Sequence, residues 1–244
     1  MRMIIRRCRV RALLGGVLVL AGMQAAGALA ADDMEQRLAA CSACHGERGA
    51  GAGGAEYVPH LAGKPAGYLF EQLAGFRDGR RSNAQMTWLV QFAGDAWLHE
   101  IAQYYAAQPP RTRPADTGAD ALTDAIRATA ERLVFEGDPA RGVDACAACH
   151  GRALTGLEPG VPALVGLPAE YIIAQLGNWR SGIRRATAPD CMADIANAIA
   201  AEDVRAVAVW LSQQAHADGE PPAEAGAFVP PHACGSLDSA EAPR

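Results

Sequence analysis

Residues 58–81 read VPHLAGKPAGYLFEQLAGFRDGRR, and residues 161–185 read VPALVGLPAEYIIAQLGNWRSGIRR. At an offset of 103 the two stretches share Val-Pro, then Leu and Gly, Pro-Ala, Tyr, Gln-Leu, an aromatic residue followed by Arg, and a closing Gly. So many matches in the same order mark a duplicated unit, and the duplication divides the chain. Apolar residues recur at helical spacing in both copies: Leu69, Leu73 and Phe76 in the first, Ile172, Leu176 and Trp179 in the second. A further helix is predicted after Asp95, burying Leu98, Ile101 and Tyr104 or Tyr105. Its counterpart starts near Glu202 and buries Val204, Val207 and Leu211, with Trp210 alongside. The expected fold class is all-α, in two similar units.

Pro109-Pro110 and the polar run 111–120 close the first unit, and a helix over 121–135 opens the second. After Ala215 periodicity is lost among Pro221, Pro222, Pro230 and Pro231, which predicts an extended tail. At the other end, Arg2, Arg6, Arg7, Arg9 and Arg11 precede an apolar run, and Ala28-Leu29-Ala30 has the form of a signal-peptidase site. The apolar run is short and contains Gly15 and Gly16, so it predicts a cleaved leader rather than an anchor. No later segment is apolar and long enough to span a bilayer. The expected organisation is a leader 1–30, a first unit 31–110, a linker 111–120, a second unit 121–217 and a tail 218–244. The leader carries five arginines and no acid, so without it the formal charge falls from -5 to -10. An acidic exported chain is a poor nucleic-acid binder and suits a partner with a positively charged face.

Ahead of each repeated stretch stands the same pentad, CSACH at 41–45 and CAACH at 146–150. C-x-x-C-H is the attachment sequence of a c-type haem. Two cysteines three apart on a helical turn reach two vinyl groups along one porphyrin edge, and the next residue, His45 or His150, faces the iron. A thioredoxin-like dithiol would not need a histidine in both copies and would follow a strand. A zinc site would need further ligands recurring in both halves, and none recurs. The expected cofactors are therefore two covalently bound haem c groups, held by Cys41, Cys44, Cys146 and Cys149. A helical unit of about a hundred residues buries limited apolar area by itself, and a porphyrin supplies an apolar disc to pack around.

The other face of each iron is assigned by a second register. Met86 lies 18 residues before Tyr104 and Met192 lies 18 before Trp210, at an offset that has grown to 106. A lone methionine is ordinarily core filler, but a matched pair predicts the sixth ligands. His/Met ligation gives a comparatively high potential and closes the iron. With no catalytic base or nucleophile duplicated, the expectation is an electron carrier without substrate chemistry of its own.

On both pentads, the two quoted stretches and the two methionines, the chain resembles the dihaem cytochromes c of the cytochrome c4 family over nearly all of residues 33–215. The resemblance implies two tandem class I cytochrome c domains related by a pseudo-twofold axis, with their haem propionates near one another. It implies a periplasmic protein passing single electrons from a donor dehydrogenase or quinol-oxidising complex to a terminal acceptor such as an oxidase. Its partners would be redox proteins, foremost a membrane respiratory complex with which it associates peripherally. It also implies that the carbonyls of Pro59 and Pro162 accept a hydrogen bond from the haem histidines. Arg77 and Arg180, or Arg81 and Arg184, would lie near propionates unless they merely face solvent.

Two cysteines depart from that pattern. In an oxidising compartment Cys191 and Cys234 are expected to pair, pinning the tail beside the second haem. The alternative is a Cys191 thiolate coordinating iron in place of its neighbour Met192. That would lower the potential and point to a redox enzyme such as a thiosulfate-oxidising dihaem protein. Apart from it, the alternative to the shuttle is an electron-accepting subunit, or a dihaem enzyme, for oxidation of a thiosulfate-type sulfur compound or an alcohol. His60 and His232 are weaker substitute ligands. His60 occurs in the first copy alone and is expected at the surface.

Overall fold

The structure, a computed structural model, describes residues 33–52, 57–112, 114, 122–215 and 219–240. The expected leader and most of the linker lie outside the described residues. Two compact units divide the chain, Met1–Cys41 and Ser42–Arg244. In the first, residues 33–37 are helical, and helix α1 (Ala39–His45) starts there and runs on into the second. Both repeated stretches lie in the second unit.

Three helices follow in the first half: α2 (Ala66–Arg77), α3 (Ala84–Val90) and α4 (Asp95–Ala106). The second half holds α5 (Asp124–Phe135), α6 (Cys146–His150), α7 (Ala169–Arg180), α8 (Cys191–Ala198) and α9 (Ala201–Ser212). A last helix, α10 (Gly235–Ala240), ends the tail. Among the described residues β-structure is confined to isolated bridges.

The helices keep both registers of the sequence. α2 and α7 are twelve residues each, starting at Ala66 and Ala169; α4 and α9 are also twelve each, starting at Asp95 and Ala201. Arg81 and Arg184, still in the first register, face each other in an antiparallel bridge. The extra residues of the second copy therefore fall between Arg184 and α8. Pro65 and Pro168 immediately precede α2 and α7, where a fixed φ starts a helix and a missing donor is harmless. The same helices end where Gly79 and Gly182 adopt φ of 73° and 71°, the left-handed stop that glycine adopts without strain. The methionine helices are capped just ahead of the methionine. The Asn83 side chain accepts from the Met86 N–H, and Asp190 accepts from the Ala193 N–H, each at 3.1 Å.

In the second half α5, α7, α8 and α9 enclose Leu133, Val134, Ile172, Leu176, Val204, Val207 and Leu211. In the first, α2 packs on α4, with Leu69, Phe76, Leu98, Ile101 and Tyr105 buried. Tyr105 rather than Tyr104 is the residue fully inside. The tail differs from its extended expectation. It does run along the second half, with the Glu158 N–H donating to Ala223 O at 2.8 Å and the Ala223 N–H to Gly156 O at 3.0 Å. Residues 235–240, however, contain no proline to block helical bonding, and α10 forms there and packs against α2. No helix of the described residues is long and apolar enough to cross a membrane.

Candidate haem-binding sites

α1 and α6 end on His45 and His150, and the chain reverses at once through Gly46 and Gly151, at φ of 77° and 79°. The turns close with the Gly51 N–H donating to His45 O at 2.8 Å and the Gly156 N–H to His150 O at 3.0 Å. A Cβ on Gly46 would lie 2.7 Å from the Gly51 carbonyl. The functional motif thus extends to a sixth residue. Reading the pentad alone missed Gly46 and Gly151, although glycine follows the histidine in both copies.

His45 Nδ1 is 2.8 Å from Pro59 O, and His150 Nδ1 is 2.7 Å from Pro162 O. A carbonyl only accepts, so Nδ1 carries the proton and Nε2 keeps the lone pair that a metal requires. Burial keeps both rings neutral. His45 lies below its usual value because burial outweighs the Pro59 bond, with the Arg81 charge assisting. His150 is lowered to about 4 by burial against the Pro162 bond, with Lys64 assisting. The cysteines of neither pentad form a disulfide, whereas Cys191 and Cys234 do. Burial pushes the Cys146 thiol up to about 11, and burial followed by Asp144 raises Cys149. Reactive dithiols are shifted the other way. Among the described residues, no three His, Cys, Asp or Glu side chains gather into a metal-binding group.

Two further observations fit a porphyrin. Trp179 Nε1 is buried with no hydrogen-bond partner among the described residues. Arg81 and Arg184 are buried between the two halves with no carboxylate partner among those residues. Arg81 donates to Gln72 at 3.1 Å, Tyr171 Oη at 3.0 Å and Gln175 at 2.8 Å. Arg184 reciprocates to Gln175 at 3.0 Å, Tyr68 Oη at 3.4 Å and Gln72 at 2.7 Å. The guanidiniums lie over Phe76 and Trp179, 4.5 and 3.8 Å from the ring centres. Burial, and then the Arg81 charge, hold Arg184 below its ordinary value. An unpaired indole N–H and two buried cations without a counter-charge are what haem carboxylates would satisfy. The residues present fit the group.

The other predicted residues are placed as follows. Arg77 is held by Asp78 at 2.7 Å and Asp95 at 2.6 Å, and Arg180 donates to the carbonyls of Ala196 and Ile199. Of the four arginines, Arg81 and Arg184 alone face the other half. Met86 is the third residue of α3 and Met192 the second of α8, both half-buried, and Met192 packs on the second core. The disulfide removes the thiolate on which iron ligation by Cys191 depended. His232 is exposed and pairs with Asp144 at 2.7 Å. The expectation for His60 is corrected, since only 2% of it is exposed. The chain on either side is locked: Pro59 O holds His45, and the Leu61 N–H donates to Gly49 O at 2.8 Å. The side chain is thereby turned inward against Gly51, and its counterpart Ala163 is equally buried. An open groove of about 680 Å³ beside the second pentad is lined by Ala147, Ala148, Gly151 and the tail's Phe228 and Val229. Neither His150 nor the cysteines line it.

Comparison with known proteins places this geometry. The cytochrome c family model matches residues 28–125. The thiosulfate dehydrogenase electron acceptor of Thiomonas intermedia is 39% identical over 72% of this chain and 79% of its own. Cytochrome c4 of Pseudomonas aeruginosa is 32% identical over 81% of this chain and 92% of its own. Among solved structures, reduced cytochrome c4 from Pseudomonas stutzeri superposes with a TM-score of 0.64 at 28% identity, covering 75% of this chain and 98% of that one. The thiosulfate dehydrogenase TsdBA of Marichromatium purpuratum gives 0.63 at 31% identity over 71% of this chain; the match spans 36% of the longer TsdBA chain. The fold is therefore the all-α arrangement of two tandem class I cytochrome c-like domains. The expectation of a carrier apart from substrate chemistry is overturned. Relatives of this chain are named for thiosulfate dehydrogenase, and one solved structure is that enzyme, so its kin are not purely electron carriers. The matches reach both groups, and the chain belongs to the dihaem c-type cytochromes of the cytochrome c4 and thiosulfate dehydrogenase electron acceptor superfamily.

Proposed function

We propose that this chain is the electron-accepting dihaem cytochrome of a thiosulfate-type dehydrogenase system. It takes up single electrons as a small sulfur compound is oxidised and delivers them to a respiratory acceptor. The observation that carries this reading is the 39% identity to a thiosulfate dehydrogenase electron acceptor over most of both chains. Cys41 and Cys44, and Cys146 and Cys149, would attach two haems, which supply one-electron storage at a comparatively high potential. His45 and His150 would bind through Nε2, oriented by Pro59 and Pro162. Met86 and Met192 would close the opposite faces, each presented by a capped helix start. The Arg81/Arg184 joint would hold the two sites against each other and neutralise carboxylates between them. The leader and the disulfide support export to the oxidising periplasm. Trp88 and Phe92, 71% and 93% exposed beyond Met86, offer an apolar surface to a redox partner.

A second reading, a general shuttle toward a terminal oxidase, is favoured by the longer match to cytochrome c4, over 81% of this chain. Stopped-flow mixing separates the two. Oxidised holoprotein is mixed with catalytic thiosulfate dehydrogenase and thiosulfate, or with a quinol-oxidising complex and quinol. Prompt reduction by the dehydrogenase supports the proposal. Reduction by the quinol-oxidising complex alone overturns it in favour of the second reading.

A further inference from the structure

Lys64 lies in the repeated stretch at a position where the second copy has Leu167, and like that leucine it is buried, with only 3% exposed. Its Nζ crosses to the other half and donates to Ala163 O at 3.2 Å. Ala163 follows Pro162, whose carbonyl holds His150 Nδ1 at 2.7 Å. Among the described residues no carboxylate pairs with Lys64, so its charge is buried without compensation, a costly arrangement. That charge is felt at the His150 ring, where it opposes protonation. His45 is flanked instead by Arg81, whose donors are shared among Gln72, Tyr171 and Gln175.

We propose that Lys64, contributed by the first half, is a positioning residue that tunes the second haem. Its positive charge behind His150 favours the ferrous state and raises that haem's potential, while its hydrogen bond steadies the Pro162-Ala163 segment that orients the ring. The proposal rests on the reading that His150 holds the second iron. A cation in a poorly screened site stabilises the state with one more electron.

The test is a potentiometric titration of the holoprotein at pH 6, below the value of about 7 to which burial lowers Lys64. The wave displaced by Met192→His is the second haem's. Lys64→Gln keeps a donor for Ala163 O and removes the charge. It is expected to lower the ferrous-to-ferric ratio of the second haem at fixed potential about tenfold, equivalent to about 59 mV for one electron, and to leave the first haem in place. Lys64→Leu, which copies Leu167, gives the same shift should glutamine not be accommodated, and Lys64→Arg stays close to the wild type. An unmoved second wave in a fully loaded Lys64→Gln protein, or an equal shift of both waves, overturns the proposal. Wild-type protein with no haem on the second pentad instead overturns the reading of the site itself.

Discussion

Cutting the anchor of the tail is expected to loosen Met192, the proposed ligand of the second iron, and leave Met86, that of the first, intact. Cys191 and Cys234 are bridged across a sequence separation of 43. Releasing a loop of that size restores denatured-state entropy worth about 4 kcal/mol in the chain-entropy treatment, an upper figure for the double variant Cys191→Ser/Cys234→Ser. What remains to hold the tail is modest. There are the two backbone bonds of Ala223 to Glu158 and Gly156, the Gly235 N–H on Pro189 O at 3.0 Å, the packing of α10 on α2, and the exposed His232–Asp144 pair. The hydrogen bonds contribute about 0.5–1.5 kcal/mol each and the surface pair about 0–1. Cys191 opens α8 and directly precedes Met192, so the loss falls on the helix start that presents this methionine. The assay is guanidinium titration of the ferric holoprotein, followed by the weak far-red sulfur-to-iron band and by far-UV circular dichroism. The variant is expected to lose half the band at lower denaturant and the rest at the wild-type midpoint. A single step at the wild-type midpoint, or equal displacement of both halves, would refute the reasoning.

Other outcomes follow from the same contacts. Gly46→Ala forces a Cβ to within 2.7 Å of the Gly51 carbonyl, whereas Gly151→Ala meets Gly156 O at 3.6 Å. Both also take the cost of a backbone conformation that is nearly glycine-only, about 1–3 kcal/mol. Haem content per chain should therefore drop far more at the first site than at the second, and equal losses would contradict this. Arg184→Ala strips donors from Gln72, Gln175 and Tyr68. Arg81 still donates to both glutamines, so the loss is that of the Tyr68 contact and of one donor to each glutamine. At about 1–3 kcal/mol, less the relief of an unpaired cation, calorimetry should show the joint between the halves weakened as a broadened melting transition. Lys64 sits at about 7 when folded against 10.5 as a free side chain. The unfolded chain thus binds more protons between those values, and wild-type stability should rise with pH across that window. Below about 7 the burial penalty is complete. Lys64→Leu should thus be the more stable protein there, and its advantage should shrink toward pH 10.5. A constant difference in denaturation midpoint across that range would count against burial of the charge.

The duplication was legible because both registers survive intact in the helices: 103 residues through α2 and α7, then 106 through α4 and α9. The apolar spacing of Leu98, Ile101 and Tyr104 or Tyr105 likewise announced α4, and burial chose Tyr105. What the sequence hid were residues whose role is set by the opposite half. Arg81 and Arg184 stood level with Arg77 and Arg180, near propionates or facing solvent, until their guanidiniums are seen crossing to Gln175 and Gln72. Lys64 read as one residue of a repeat, though a lysine standing where the other copy has leucine was the available sign. His60 was misread for the opposite reason. Its absence from the second copy suggested exposure, but burial at that position is a property of the turn, and Ala163 meets it with a methyl group.

The most direct test of the central claim is intact-mass analysis of the exported protein under denaturing conditions, after removal of the leader. The account predicts a chain carrying two haem masses that resist acid extraction, one on each pentad when the protein is digested. A chain with one adduct or none would contradict it.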